Sequence, residues 1–395
     1  MPRVLQIINR LNLGGPTFIA GYLAAYLGEG YETMLVAGVK DDSEESSEYI
    51  VRDMGIEPVY IDNMRREINF KDDRAAYNQI DKIIKEFKPD IVQTHAAKAG
   101  TLGRLAAINN NVPVILHTFH GHVFEGYFSP LKTRIFLEIE RYLAKRSSGI
   151  IAISNEQKKD LSGKFKIDKP ERTFVMPLGI DLERFTVGQA EKRTNFRKAY
   201  QLDDETIAIG IIGRLVPIKN HQLFINSFAE VVKKTNKKVH AFIIGDGEIR
   251  AEVEQMTTTA GIKFNTPEKK EEGALLTFTS WIKDVDVPVA GLDIIALTSI
   301  NEGTPVSLIE AQAAGKAIVS TEVGGIRDIV IENKTALLSK LNEPEMLLTN
   351  MLEVIENEIL RNDLSKNGPA FALSKFGYMR MVNDHKELYK TLLKS

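Results

Sequence analysis

The sequence predicts an α/β protein made of two facing, Rossmann-like, doubly wound parallel-sheet domains. Three observations carry this. Short apolar runs alternate with longer amphipathic ones, which is the pattern of buried parallel strands between helices. The alternation begins again near residue 206. The 395 residues exceed one ordinary core and suit two domains of roughly 150–200 residues each.

In the first half, Val4–Ile8, Met34–Ala37, Val59–Ile61, Ile91–Thr94, Val114–Thr118 and Gly149–Ile153 read as strands, with helical patterns such as Asp73–Phe87 and Leu131–Lys145 between them. In the second, Thr206–Ile212, Val239–Gly245, Leu275–Phe278, Asp293–Thr298 and Ala317–Thr321 are the strands, and Leu223–Lys234 is a helix. The polar stretch Gly188–Asp204 has no strand-like run, so the boundary falls just before it. The expected division is 1–182 as an N-terminal Rossmann-like domain and 183–368 as a second one. A helical tail, 369–395, either closes the second domain or crosses back to the first.

Composition excludes several chemistries. There is no cysteine, hence no disulfide, thiolate nucleophile or cysteine-ligated metal. A net charge of −2 gives no global field for nucleic acid, so any anion site is local. The opening MPRVLQIINRLNLGG is too interrupted for a secretory leader, and no apolar run is long enough to span a bilayer. A cytoplasmic enzyme, acting at most at the inner face of the membrane, is expected.

Because ligands of open α/β sheets bind beyond the carboxyl ends of the strands, the loops after strands are where chemistry is sought. After the strand ending at Thr298 comes SINEGTPVSLIEAQAAG. Gly303 permits close backbone approach, Thr304 suits an N-cap and Pro305 the first helical position. The amides from Thr304 through Val306 to Ser307 then form an anion site. Glu310 lies among Leu308, Ile309, Ala311 and Ala313, where a carboxylate needs a partner, and a ribose diol is a suitable one. Glu302 in the loop can accept from sugar hydroxyls.

This segment resembles the E-x7-E motif of the family 4 glycosyltransferases, which have the GT-B fold, and the resemblance extends along nearly the whole chain. It implies that Glu310 binds the nucleotide ribose, that Glu302 contacts the donor sugar, and that the backbone of Gly303–Val306 touches sugar and phosphate. Arg214 and Lys219, five apart in the loop GRLVPIKN, can converge on a diphosphate. They resemble the family's cations, which offset charge on the leaving group. Gly14 and Gly15, opening a helix, resemble a loop that lines the cleft. Gly245 and Gly247 resemble a turn that shapes the nucleotide pocket. Ser280 stands where the family usually has glycine, and Ala336 replaces another frequent glycine.

His117-Thr118-Phe119-His120-Gly121-His122 follows a strand. The cluster has no matching carboxylate or histidine group elsewhere, so it does not announce a metal. The resemblance assigns His120 to the donor sugar. The run Thr94–Arg104 and the longer run His120–Arg141, with its core through Tyr127 and Phe128, resemble enzymes of bacterial capsular and other surface polysaccharides. That implies a glycan or polyprenyl-linked acceptor, with Lys98, Arg104 and Tyr127 as acceptor-side candidates. Leu131–Arg146 is basic and amphipathic, compatible with an anionic membrane surface as well as with packing on the sheet.

The resemblance further implies retention of anomeric configuration, a nucleotide-diphosphate sugar (UDP favoured) as donor, and no metal or other cofactor. Three alternatives stay open on sequence alone. Two share the fold, a nucleotide-sugar epimerase and a sugar phosphorylase; the third is a two-lobed binding protein without catalysis.

Overall fold

The computed structural model describes residues 1–12, 15–39, 47–65, 67, 69–121 and 129–394. Gly14, His122, Tyr127 and Phe128 lie outside the described residues. The chain divides into two compact units, Met1–Ile180 with Phe376–Ser395, and Asp181–Lys375.

The first unit is built on β1 (Arg3–Ile8), β2 (Glu32–Gly38), β3 (Val59–Ile61), β4 (Ile91–His95), β5 (Val114–Phe119), β6 (Gly149–Ala152) and β7 (Thr173–Val175). Their order is β3-β2-β1-β4-β5-β6-β7, and neighbours pair in parallel. Strands β4, β5 and β6 are buried along their whole length, as expected when helices cover both faces. The order reverses between β1 and β4, and there the register sets Ile8 beside His95 and His95 beside Thr118.

The tail divides between the units. Helix Glu358–Phe376 carries Pro369 in its interior and belongs to the second unit through Lys375. Helix Tyr378–Lys394 buries Met381, Val382, His385, Leu388 and Tyr389 within the first unit. Tyr378 stacks on Tyr22 at 4.6 Å, the Ile180 amide donates to the Phe376 carbonyl at 2.8 Å, and Arg380 donates to the Pro177 and Leu178 carbonyls. The apolar tail residues that sequence left without a destination therefore complete the first unit's core.

The second unit contains β8 (Ile207–Ile212), β9 (Val239–Ile244), β10 (Phe264–Asn265), β11 (Leu276–Ser280), β12 (Ile294–Leu297), β13 (Ala317–Thr321) and β14 (Ala336–Ser339). The order is β10-β11-β9-β8-β12-β13-β14, reversing between β8 and β12. Helix His221–Lys234 shows how the core is made: Phe224, Ile225, Phe228 and Val231 fall on one face and are fully buried. The polar stretch after Gly188 forms helix Gln189–Ala199 of this unit. Its polarity has a structural use, since Arg193 and Arg197 both pair with Asp293. Strands β7, β10 and β14, at two to four residues, are too short to show a period in sequence.

Candidate functional site

Four loops leave the carboxyl ends of β8, β9, β12 and β13, and hydrogen bonds stitch them together. The Gly213 amide donates to the Ile244 carbonyl, and that of Leu215 to Asp246. The Ile300 amide donates to Ile218 at 2.8 Å, and the Thr298 hydroxyl donates between the Lys219 and Asn220 carbonyls. The Gly325 amide donates to Glu302 at 3.0 Å. Gly245 has φ 136°, and a Cβ there would fall 2.0 Å from the Gly213 carbonyl oxygen. A Cβ on Gly247 would fall 2.3 Å from that of Leu215. These two glycines are therefore required by loop packing. Gly303 differs, because a Cβ there would meet open space; its exposed backbone is free for a ligand.

Two of the expected site residues, Lys219 and Glu302, come together. Lys219 Nζ lies 2.6 Å from Glu302 Oε1, and the Ser299 hydroxyl donates to the same oxygen at 2.6 Å. The Lys219 side chain lies over Gly213. Arg214 instead pairs with Glu248 at 3.0 Å in an exposed position. A surface pair of this kind contributes little and is easily exchanged for a ligand anion.

Helix Val306–Ala313 begins one residue later than expected. Pro305, not Thr304, is its N-cap. Thr304 Oγ1 is left buried with no hydrogen-bond partner. An orphaned hydroxyl beside the free amides of a helix start suits an anion or a sugar. Further along, the Glu310 carboxylate accepts no hydrogen bond among the described residues. Burial pushes its carboxyl up to about 7, with Asp286 adding to this and Arg184 opposing it. Arg184 is itself held by Asp286, Nε to Oδ1 at 3.0 Å, and Lys192 pairs with the other carboxylate oxygen at 2.9 Å.

Ser280 has φ 60°, a left-handed conformation that explains why glycine is the usual occupant. Its hydroxyl donates to Asp246 Oδ2 at 2.5 Å. Burial alone would raise the Asp246 carboxyl, but bonds from Ser280, the Gly247 amide and Arg250 together hold it below its ordinary value. An open cleft lined by Tyr200, Lys238, His240 and Asn265 lies at the opposite ends of β8 and β9, away from these loops. Chemistry, not cleft size, marks the site.

In the first unit, Gly15 begins helix Gly15–Tyr26 with open space beside it. His120 follows β5, and its Nε2 lies 2.9 Å from His95 Nδ1. Burial pushes His120 down to about 3, with His385 adding to this, and burial likewise holds His95 well below the usual range, with His120 and His385 adding to it. His117 bonds Thr94 at 2.8 Å and packs on Gly100, where a Cβ would lie 2.4 Å from the ring. Among the described residues no group of three or more His, Asp or Glu stands where it can hold a metal.

Two acceptor-side candidates have other occupations. Arg104 is completely buried, pairs with Glu140 at 2.6 Å and donates to the Gly100 carbonyl. It joins the helices of 97–109 and 130–144 and is not offered to a ligand. Lys98 is largely covered and paired with Asp73 at 2.6 Å. Tyr127, the third, lies outside the described residues.

Sequence reasoning missed Gln6, Gln93, His385 and Tyr389, which connect to His95, and Arg184 and Asp286, which face Glu310. The polar residues Gln6 and Gln93 inside otherwise apolar strands were the available signal. Gly324-Gly325 was also missed: a Cβ on Gly324 (φ 50°) would fall 1.9 Å from the Glu302 carbonyl oxygen, so this turn buttresses the Glu302 loop.

Comparison with known proteins bears on the family and the fold. Residues 14–184 match the model of Glycosyltransferase Family 4, and residues 192–371 match that of Glycosyl transferases group 1. The chain is 27% identical over 338 residues to an Escherichia coli UDP-Gal:alpha-D-GlcNAc-diphosphoundecaprenol alpha-1,3-galactosyltransferase, covering 85% of this chain and 84% of that one. It is 24% identical to the capsular polysaccharide biosynthesis glycosyltransferase CapM of Staphylococcus aureus, over 90% of each chain. Among solved structures, HepE of Anabaena in complex with UDP superposes with a TM-score of 0.81 at 18% identity, covering 98% of this chain and all of that one. Two family models that between them span both units, on a fold shared with GT-B enzymes, show that the chain belongs to the family 4, group 1 glycosyltransferases.

Proposed function

We propose that the chain is a retaining, metal-independent transferase. It moves a sugar from a UDP-sugar to a glycan or polyprenyl-linked acceptor in bacterial surface polysaccharide synthesis. The observation that carries this is Glu310. It is a half-buried carboxylate that accepts no hydrogen bond among the described residues, on the helix whose N-terminus follows the Lys219–Glu302 pair. A nucleotide ribose supplies the two hydroxyls that it lacks. The diphosphate takes the place of Glu302 on Lys219 and that of Glu248 on Arg214, and its oxygens meet the amides from Thr304 onward. Glu302, released, accepts from the donor sugar.

Glu302 is held by Lys219 and Ser299, and a front-face route asks for no carboxylate nucleophile. The bond from anomeric carbon to phosphate oxygen breaks as the acceptor oxygen bonds on the same face. The departing diphosphate takes the acceptor's proton. Lys219, Arg214 and the helix amides stabilise the charge that develops there. The UDP-Gal named for the E. coli relative, and the UDP in the HepE complex, support the choice of donor. The diphosphoundecaprenol in the relative's name supports a lipid-linked acceptor.

A membrane-facing surface fits such an acceptor. Helix Pro130–Ala144 packs Phe136 and Leu137 inward yet exposes Leu131 (70%), Ile135 (50%), Ile139 and Tyr142. These recur at helical spacing beside Lys132, Arg134, Lys145 and Arg146. No described helix is long and apolar enough to cross a membrane, so the contact would be interfacial, at the cytoplasmic face.

The test is the product. Protein incubated with UDP-sugars and a polyprenyl-diphosphate glycan should give a glycoside whose anomeric proton coupling matches that of the donor. An inverted product overturns the retaining assignment, and no transfer to any glycan or lipid-linked acceptor overturns the transferase proposal.

A further inference from the structure

The buried polar side chains of the first unit form one continuous chain of hydrogen bonds with a fixed direction. It starts at the Met381 carbonyl in helix Tyr378–Lys394, which can only accept. His385 Nδ1 lies 2.8 Å from it and therefore carries the proton. Burial holds His385 neutral, down to about 4, so its Nε2 is bare and accepts from the Gln93 amide at 3.4 Å. The same Gln93 nitrogen donates to Thr118 at 2.9 Å. With the NH2 group of Gln93 so oriented, its oxygen faces Tyr389, whose hydroxyl donates to it at 2.5 Å. The Tyr389 oxygen then accepts from Gln6 Nε2 at 3.2 Å. Gln6 in turn presents Oε1 to His95 Nε2 at 2.8 Å, which must be protonated. His95 Nδ1 is left bare and accepts from His120 Nε2 at 2.9 Å.

We propose that this chain holds His120 as the Nε2–H tautomer with Nδ1 bare, so that Nδ1 accepts a hydrogen bond from a substrate hydroxyl, and that Gln6 and Tyr389 are positioning residues acting through His95. Nδ1 of His120 is buried and has no hydrogen-bond partner in the structure, which is the state of an acceptor awaiting its donor. The last helix of the chain thereby sets a proton position on β5's following loop, without touching the substrate. The consequence for the substrate rests on the sugar-transfer reading; the tautomer itself does not.

The experiment uses full-length protein with its seven histidines labelled with nitrogen-15, His120 being assigned by loss of its signals in His120→Asn. Long-range nitrogen–proton correlation spectra of the unliganded protein report which ring nitrogen carries the proton. The expected spectrum has a protonated Nε2 and a bare Nδ1 at His120. Tyr389→Phe keeps the ring and removes the relay, so the Gln6 amide is free to turn; the His120 signals should move toward a mixture of tautomers. Donor turnover should drop about three- to tenfold, the range for one neutral hydrogen bond, with donor KM changed less than twofold. Gln6→Met breaks the chain one step nearer and should do the same if Tyr389→Phe folds poorly. A protonated Nδ1 in the wild type, or an unchanged tautomer in both folded variants, overturns the proposal. Titration with UDP-sugars separates the underlying reading. A shift of the bare Nδ1 signal supports the substrate contact; no shift with any donor sinks that contact while leaving the tautomer measurement to stand or fall alone.

Discussion

Lys219 Nζ and Glu302 Oε1 stand 2.6 Å apart, with the Ser299 hydroxyl on the same carboxylate oxygen. Both partners are mostly covered, so this is a stronger contact than an exposed pair. The contact fixes the position of the Lys219 ammonium beside the loop that precedes helix Val306–Ala313. Lys219→Ala is expected to lower turnover by about 10²–10³, the usual scale for removing one group that stabilises developing charge. The fold should survive, since Lys219 lies in a loop. Steady-state kinetics with circular dichroism checks both halves, and wild-type-like turnover would remove Lys219 from the diphosphate.

Glu310 gives the site a pH dependence with a definite sign. Its carboxyl is raised to about 7 in the folded protein from an ordinary value of 4.5. The folded state thus binds the proton that the unfolded chain has lost between those values. Stability falls as pH rises from 4.5 to 7 and is lower by up to about 3 kcal/mol above that. Glu310→Gln should raise the melting temperature at pH 8 and leave it nearly unchanged at pH 4.5. Ribose hydroxyls favour the ionised form, so nucleotide affinity should weaken as pH drops below 7 in the wild type and be flat in the variant. Calorimetric titration with UDP at pH 6 and 8 measures this.

Ser280 separates conformation from hydrogen bonding. Ser280→Gly relieves the positive φ and loses the bond to Asp246, whereas Ser280→Ala loses the bond and keeps the strain. The alanine variant should be the less stable of the two by roughly 1–2 kcal/mol. Equal melting temperatures would mean that the left-handed conformation there is not strained.

Arg104 tests the buried pair. Removing one partner from a fully enclosed ion pair costs about 3–5 kcal/mol, so Arg104→Ala should lower the melting point markedly. In whatever fraction stays folded, acceptor KM should be unchanged. A raised acceptor KM with wild-type stability would return Arg104 to the acceptor side.

The outward face of helix Pro130–Ala144 makes a separate claim. Wild-type protein should sediment with vesicles of anionic phospholipid and much less with neutral ones, and salt should weaken the binding. Leu131→Ser with Ile135→Ser should release it while activity on a water-soluble acceptor persists. Equal sedimentation of wild type and variant would contradict the assignment.

Much of this was legible in sequence because buried parallel strands are continuous apolar runs. Eleven strands were read this way, the three-residue Val59–Ile61 among them, while Thr173–Val175, Phe264–Asn265 and Ala336–Ser339 were not. That Lys219 and Glu302 lie in loops after strands was legible, and the structure pairs them; Glu310 was legible as a carboxylate among apolar residues of the following helix. Arg104 misleads for the converse reason: its partner Glu140 is 36 residues away and nothing local reveals that the pair is buried. The relay through Gln6, Gln93, His385 and Tyr389 was hidden because it joins β1, β4 and the terminal helix, up to 383 residues apart. Sequence showed polar residues in apolar strands but not what they faced.

The most direct test of nucleotide-sugar binding in the second unit is a thermal-shift panel of UDP, GDP, ADP and their common sugars against wild type, Lys219→Ala and Glu310→Gln. A ligand at a hundred times its Kd adds about 2.7 kcal/mol to stability, a rise of a few degrees for a protein of this size. UDP and a UDP-sugar are expected to raise the melting temperature of the wild type, with the rise largely lost in Lys219→Ala. No rise with any nucleotide, or an equal rise in wild type and Lys219→Ala, would contradict the assignment of Lys219, Glu302 and Glu310 to the donor.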